Sequence, residues 1–368
     1  MYVICNIKCI NHLCFLPRKL HLNNTLTTTF YIKCLFLGTS TTNGRFFALA
    51  AAVASNEDSV AWSSIYGYVR HLKNSPKVHL ADEATAITKA IDNVFGLENC
   101  VRNMCWPHVY RNLVPQLKCV STFNKDVGKK ILEDVEFLQW SVMNEQSFLK
   151  VYELLEQKYV GKYDDGINEA IGKFFSYMRS VWIESKQHRW FEAAHPWQPS
   201  NNQGVEGKNK DIKQSHTFRR RLDIGELFNV LLNMVKEWSE EDDKLLESGR
   251  IAALHGEKDS LRLKTEGYQW YKENQSKADR ILRINPGEKY SVNDSVTNFW
   301  AVASSSATSD KSLKDRAKER MKNRKLPEVD SFDEYAAMRS SCWILEEVDG
   351  EFYCDCPIGM KVDFLKSI

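Results

Sequence analysis

The residues best able to do chemistry in this chain are two widely separated acids and one cysteine–histidine pair. Asp82 closes the short run 77–81 (KVHLA) and precedes a helical pattern. An acid at the C-terminal end of a strand stands where open α/β sheets gather ligands and metals. The same position also suits a plain helix N-cap. Glu206 lies within 201–210 (NNQGVEGKNK), among Lys208, Lys210, Lys213, Arg219, Arg220 and Arg221. A carboxylate among cations suits a site that holds a divalent metal beside a phosphate backbone; a solvated helix face is the alternative. Cys105-Trp106-Pro107-His108 has the Cys-x-x-His spacing of half a zinc site. A buried thiol and a helix-capping histidine account for it equally well.

These residues need elements to hold them. Residues 31–37 form an apolar run, 38–44 (GTSTTNG) read as a turn and 45–54 (RFFALAAAVA) as a buried strand. The spacing predicts a hairpin with a turn longer than two residues. Ser55, Asn56, Glu57 and Asp58 carry helix-start chemistry. Trp62, Ile65, Tyr66, Val69 and Leu72, spaced by three or four, predict a helix running to about Lys73. Pro76 breaks the chain, 77–81 follows as a strand, and Ala84, Ile87, Ile91, Val94 and Phe95 mark the next helix. Residues 100–105 read as another strand and 108–117 as another helix. An antiparallel start followed by strands alternating with helices predicts a mixed α/β sheet.

From about Asn124 to Trp190 the pattern is helical throughout, and its stripe of Phe137, Trp140, Phe148, Tyr152, Phe174, Phe175 and Trp182 reads as packing. Residues 195–204 read as a loop opening a helix near Val205. A further helix from about Asp223 to Leu246 carries Leu227, Leu231, Met234, Val235 and Trp238. Residues 302–326 are Ser-rich, then basic, with eight Lys/Arg against three acids over 310–325. They read as a solvated linker, and the run 311–325 as a weak nuclear import signal.

Composition bounds the function classes. Of 368 residues, 43% are hydrophobic and 27% charged, which fits a folded rather than a disordered chain. A net charge of +2 means that any nucleic-acid surface must be a local patch. The ten cysteines are irregularly spaced in a chain too large to need disulfide staples, so they read as reduced thiols or metal ligands. Residues 1–22 show no period and read as a poorly ordered leader. Asn6, Lys8, Asn11 and His12 interrupt the first sixteen residues, excluding a spanning helix there, and no other segment approaches ~20 apolar residues. The expectation is a soluble intracellular protein with no membrane partner.

Taken in order, several segments resemble the MULE transposase domain: 37–50 (LGTSTTNGRFFALA) with 54–57 (ASNE), 80–87 (LADEATAI) with 90–95 (AIDNVF), Cys105-x-x-His108 with Asn112-Leu113, and Asn201-Asn202-x-x-x-Glu206-x-x-Asn209. The resemblance covers roughly residues 20–245. It implies an RNase H-like fold in which three acids bind two divalent cations, Mg²⁺ or Mn²⁺, for metal-dependent DNA cleavage and strand transfer. Asp82 and Glu206 are then the second and third acids, expected to approach one another across a helical insertion. The first acid, expected about 15 residues before the Gly-Thr-Ser turn, falls at Asn23, and no Asp or Glu occurs before Glu57. Near the end, 353–361 (YCDCPIGMK) resembles the opening of a SWIM zinc finger, Cys-x-Cys then Cys-x-His. Cys354 and Cys356 supply two of zinc's four ligands, and no Cys or His follows Cys356.

The expected organisation is therefore a leader (1–22), the first part of an RNase H-like core (23–123), a large all-helical insertion (124–195), the final acidic helix with its successor (196–250), a helical and linker region (251–331) and a truncated zinc-finger-like end (332–368). The expected function is that of a transposase-derived, catalytically impaired nucleic-acid protein in the nucleus, with DNA as partner and a homo-oligomer left open. A domesticated DNA-binding or regulatory factor and a helical interaction scaffold are the alternatives.

Overall fold

A computed structural model describes residues 2–5, 19–27, 33–40, 46–70, 76, 78–194, 207, 210, 212–218, 222–247, 268–277, 279–284, 296–304, 311–348 and 351–357. The chain divides into two compact units, Met1–Tyr110 with Pro199–His255, and Arg111–Gln198 with Gly256–Ile368.

The first unit is built on a mixed sheet. Its strands are β1 (Tyr2–Cys5), β2 (Lys19–Thr27), β3 (Lys33–Ser40), β4 (Phe46–Ala54), β5 (Val78–Ala81) and β6 (Val101–Met104), in the order β1-β4-β3-β2-β5-β6. β1 to β4 pair antiparallel, whereas β5 runs parallel to β2 and β6 parallel to β5. The expected mixed α/β sheet is present, with 78–81 as an internal strand. Two details differ from the sequence reading. Gly38-Thr39-Ser40 stay within β3 beyond a register shift at Leu37/Gly38, so the strand includes residues expected in the turn. The expected leader contributes β1 and the start of β2. Asparagines weaken strand propensity in 19–27, but pairing on both sides overrides local preference.

β4 shows why the sheet takes helices on both faces. Ala50, Ala52 and Ala54 pack with α1 (Ser59–Arg70) and α2 (Thr85–Phe95), through Trp62, Ile65, Tyr66, Val69, Ile87 and Ile91. Ala51 and Val53 face the other way, onto Leu227, Leu231, Met234, Val235 and Trp238 of α8 (Ile224–Glu247). Side chains alternate across a strand, and alanines let helices approach closely on either side. Each large apolar residue fully buried there contributes ~1.5–3 kcal/mol. Asp58 starts α1 by accepting from the Val60 and Ala61 amides at 3.0 and 2.9 Å. Leu72, expected on the same helix, lies outside the described residues.

The second unit holds the end of α3 (Trp106–Gln116), α4 (Lys118–Phe123), α5 (Lys125–Ser141), α6 (Glu145–Tyr159) and α7 (Asp165–Met178), which runs into a π-helical turn at Arg179–Ile183. Phe148, Tyr152, Phe174, Phe175 and Trp182 are buried, as packing residues should be. The region expected to be helical and linker is different. It contains strands β7 (Ile281–Ile284) and β8 (Val296–Ala303), which join β9 (Cys342–Val348) and β10 (Glu351–Cys354) in an antiparallel sheet ordered β10-β9-β8-β7. The basic run is no solvated linker either. It forms α9 (Leu313–Lys322), which buries Leu313, Arg316, Ala317, Arg320 and Met321, and α10 (Phe332–Ser340) follows. Arg316, Arg320 and Arg324, four apart, make a stripe that faces inward because buried acids and carbonyls receive it, and this leaves fewer free cations for an import signal.

Candidate functional site

Asp82 follows β5 directly, half-buried at the C-terminal edge of the sheet. Its Oδ1 accepts from the Ala84 amide at 3.1 Å, a helix-start contact just before α2. On the neighbouring strand, β2 pairs with β5 in parallel register, His21 level with Leu80. Continuing that register by two residues brings Asn23 level with Asp82, on strands roughly 4.8 Å apart. Asn23 is itself paired with Phe36 of β3.

A residue that periodicity did not single out organises this edge. Arg102 of β6 is fully buried, and its guanidinium donates to the carbonyls of Ala81 at 3.3 Å, of Asp82 and of Asn103. It thus ties the ends of β5 and β6 together beneath Asp82. Burial lowers the guanidinium from its ordinary value, against the pull of Tyr66, Asp82, Cys105 and Glu83. Register puts His79 level with Arg102 on the adjacent strand. The His79 ring is buried between Tyr66 and Phe95, with ring centroids 5.5 and 4.6 Å away. An Arg inside a short strand was the available sequence signal.

Cys105 is buried, and its amide donates to the Ala81 carbonyl at 2.8 Å; His108 is half-buried in the first turn of α3. Glu206, Lys208, Arg219, Arg220 and Arg221 lie outside the described residues, so its expected approach to Asp82 does too. Lys210 is exposed, and Lys213 is half-exposed on the π-helical turn Ile212–His216.

Two metals are implied by the resemblances, and the donor chemistry fits neither well. Asn23, where the resemblance puts the first acid, is a residue type without the charge that Mg²⁺ needs. Arg102 already brings a cation to the same edge. In the second unit Cys354 and Cys356 are both half-buried, and the Cys356 amide donates to the Cys354 sulfur at 3.4 Å. They give two ligands where structural zinc takes four. Among the described residues, no three or more His, Cys, Asp or Glu side chains are grouped so that they could hold a metal ion.

Between the two cysteines Asp355 is buried, 1% exposed, and it organises the densest charge network described here. Its carboxylate accepts from Arg320 and from the Ile344 amide at 2.8 Å, and lies 3.6 Å from Arg339 Nη1. Arg339 also donates to the Asp355 and Ser141 carbonyls and sits against Trp140 and Trp343, while Arg324 pairs with buried Glu346.

No protein-family model matches the chain, and no curated protein matches it. No helix among the described residues is long and apolar enough to cross a membrane.

Proposed function

We propose that the chain is a nucleic-acid protein of transposase descent, with an RNase H-like sheet whose metal site has lost its first carboxylate. The observation that carries this reading is the β2–β5 register. The distance to Gly38 in sequence puts the first acid at Asn23, and the β2–β5 register, continued two residues beyond its last pair His21–Leu80, would bring that position level with Asp82. A position within one strand level with the end of its parallel neighbour is an arrangement that a shared metal site can use. The antiparallel start followed by parallel strands supports the same reading, as does the return of residues 199–255 to the sheet's unit.

Strand cleavage by two metals needs charged oxygens to hold both ions for in-line displacement. With Asn23 in place the site lacks one such charge, so DNA binding outlasts catalysis. Lys208, Lys210, Lys213 and Arg219, Arg220 and Arg221 act on the phosphate backbone through charge alone. DNA as partner and nuclear residence belong to this proposal. The test compares the chain with Asn23→Asp in Mg²⁺- or Mn²⁺-dependent nicking. Nicking restored in the variant supports the reading, and robust nicking by the unmodified chain overturns it. The Asp82–Ala84 hydrogen bond just before α2 favours a second reading, a scaffold or DNA-binding factor in which Asp82 has only a structural role. Failure of both proteins to nick favours that alternative.

A further inference from the structure

Four arginines are buried together in the second unit. Arg316 and Arg320 lie on one side of α9, Arg324 just past its end, and Arg339 in the last turn of α10. Arg320, Arg324 and Arg339 are 2%, 5% and 0% exposed. The buried carboxylates that meet them are Asp355 and Glu346. Four positive charges against two negative leave a formal surplus of +2. The same helix keeps Lys314, Lys318 and Lys322 exposed, so cations here do not go inside for want of a solvent face.

The donors outnumber the acceptors as well. Arg316 Nη1 donates to the Ser341 carbonyl at 2.7 Å, Arg320 Nη2 donates to the Asp355 carboxylate, and Arg324 Nη2 pairs with Glu346. Arg339 donates through Nε and Nη2 to the Ser141 and Asp355 carbonyls. The Nε of Arg316, Arg320 and Arg324, and the Nη1 of Arg324 and Arg339, are buried with no acceptor among the described residues. Arg324 has the most to satisfy, with two of its three nitrogens so placed. Burial brings its guanidinium down from 12.5 to about 10, against the pull of Asp355 and with the repulsion of Arg320 and Arg339. Unpaired charge and unmet donors inside a protein are both costly. A water molecule would accept a hydrogen bond but leave the charge; an oxyanion answers both needs.

We propose that this cluster binds one phosphate dianion, held chiefly by the free edge of Arg324 with Arg320 and Arg316 beside it. A dianion cancels the surplus, and the planar guanidinium fork matches two phosphate oxygens. Depth limits the ligand's size. Donors this buried suit free phosphate or the terminal phosphate of a small monoester, not the backbone of a nucleic acid. The site therefore stands apart from the nucleic-acid reading above and does not depend on it.

The test uses the full chain, dialysed exhaustively into phosphate-free buffer. Equilibrium dialysis with radiolabelled inorganic phosphate, and separately with glycerol 3-phosphate, tells a free anion from an esterified one. Binding of about one phosphate per chain is expected, with a rise in Tm of roughly 5 °C at a hundredfold excess over Kd. Chloride at equal ionic strength should give no such rise. The double variant Arg324→Met/Glu346→Leu removes both partners of a buried pair, a change often close to neutral in stability. It should weaken phosphate binding by about tenfold or more. Arg324→Lys keeps the charge but loses the fork, and should weaken binding too. Phosphate that raises Tm equally in the parent and the double variant acts as an excluded salt and overturns the site. Failure of the unmodified chain to bind either probe in dialysis overturns it whatever the variants do.

Discussion

Asp355→Asn tests the claim that a charge network fixes the end of the second unit. The substitution keeps the shape and one oxygen acceptor for the Ile344 amide. It removes the charge that faces Arg320 and Arg339 and sets amide donors against guanidinium donors. Arg316, Arg320, Arg324 and Arg339 are buried with Asp355 and Glu346, so the formal charge of this group rises from +2 to +3. Removing one partner of a buried pair costs about 3–5 kcal/mol, because the desolvated charge left behind is uncompensated. For a unit of this size that is a fall in Tm of roughly 10 °C. Urea unfolding followed by tryptophan emission reads it, since Trp140 and Trp343 lie against Arg339. Adding Arg320→Met should recover part of the loss, as coupled residues do in a double-mutant cycle. The pH dependence gives an independent check. Burial raises the Asp355 carboxyl, but Arg339, Arg320 and Arg324 outweigh it and hold it below its ordinary value. The stabilisation is therefore present above the unfolded carboxylate value of 3.8 and lost as pH falls through the lower folded value. Asp355→Asn should lose this acid transition. A destabilisation below about 1 kcal/mol, the scale of an exposed ion pair, would refute the network argument.

His79 gives a second pH signature in the first unit. Burial, helped by Arg102, lowers its pKa from 6.5 to about 3, so between those values the unfolded chain binds a proton that the folded chain does not. Stability should fall with pH across that window by up to about 1.4 kcal/mol per pH unit. His79→Leu should flatten the slope, and an unchanged slope in denaturant titrations at several pH values would exclude His79 as its source. The C-terminal cysteines should not hold a structural zinc by themselves. Metal analysis of purified chain is expected to give well under one zinc per chain, unaltered by Cys354→Ser; stoichiometric zinc lost in that variant would contradict the two-ligand argument.

The sequence alone determined the elements with strong periods. The β4 run of apolar residues, the α1 and α8 stripes and the helical stretch after Asn124 follow from burial at spacings of two or three to four, which side-chain geometry imposes locally. It also placed Asp82 at the end of a strand. Tertiary structure decided the rest. β2 is a strand because two neighbours pair with it, despite its asparagines. Arg102 and the stripe Arg316, Arg320 and Arg324 look solvent-bound by residue type, and go inside because carbonyls and acids distant in sequence meet them there. Asp355 reads in sequence as a spacer between two cysteines. Its role as the anchor of Arg320 and Arg339 depends on α9 and α10 packing against β9, an arrangement that no local pattern encodes.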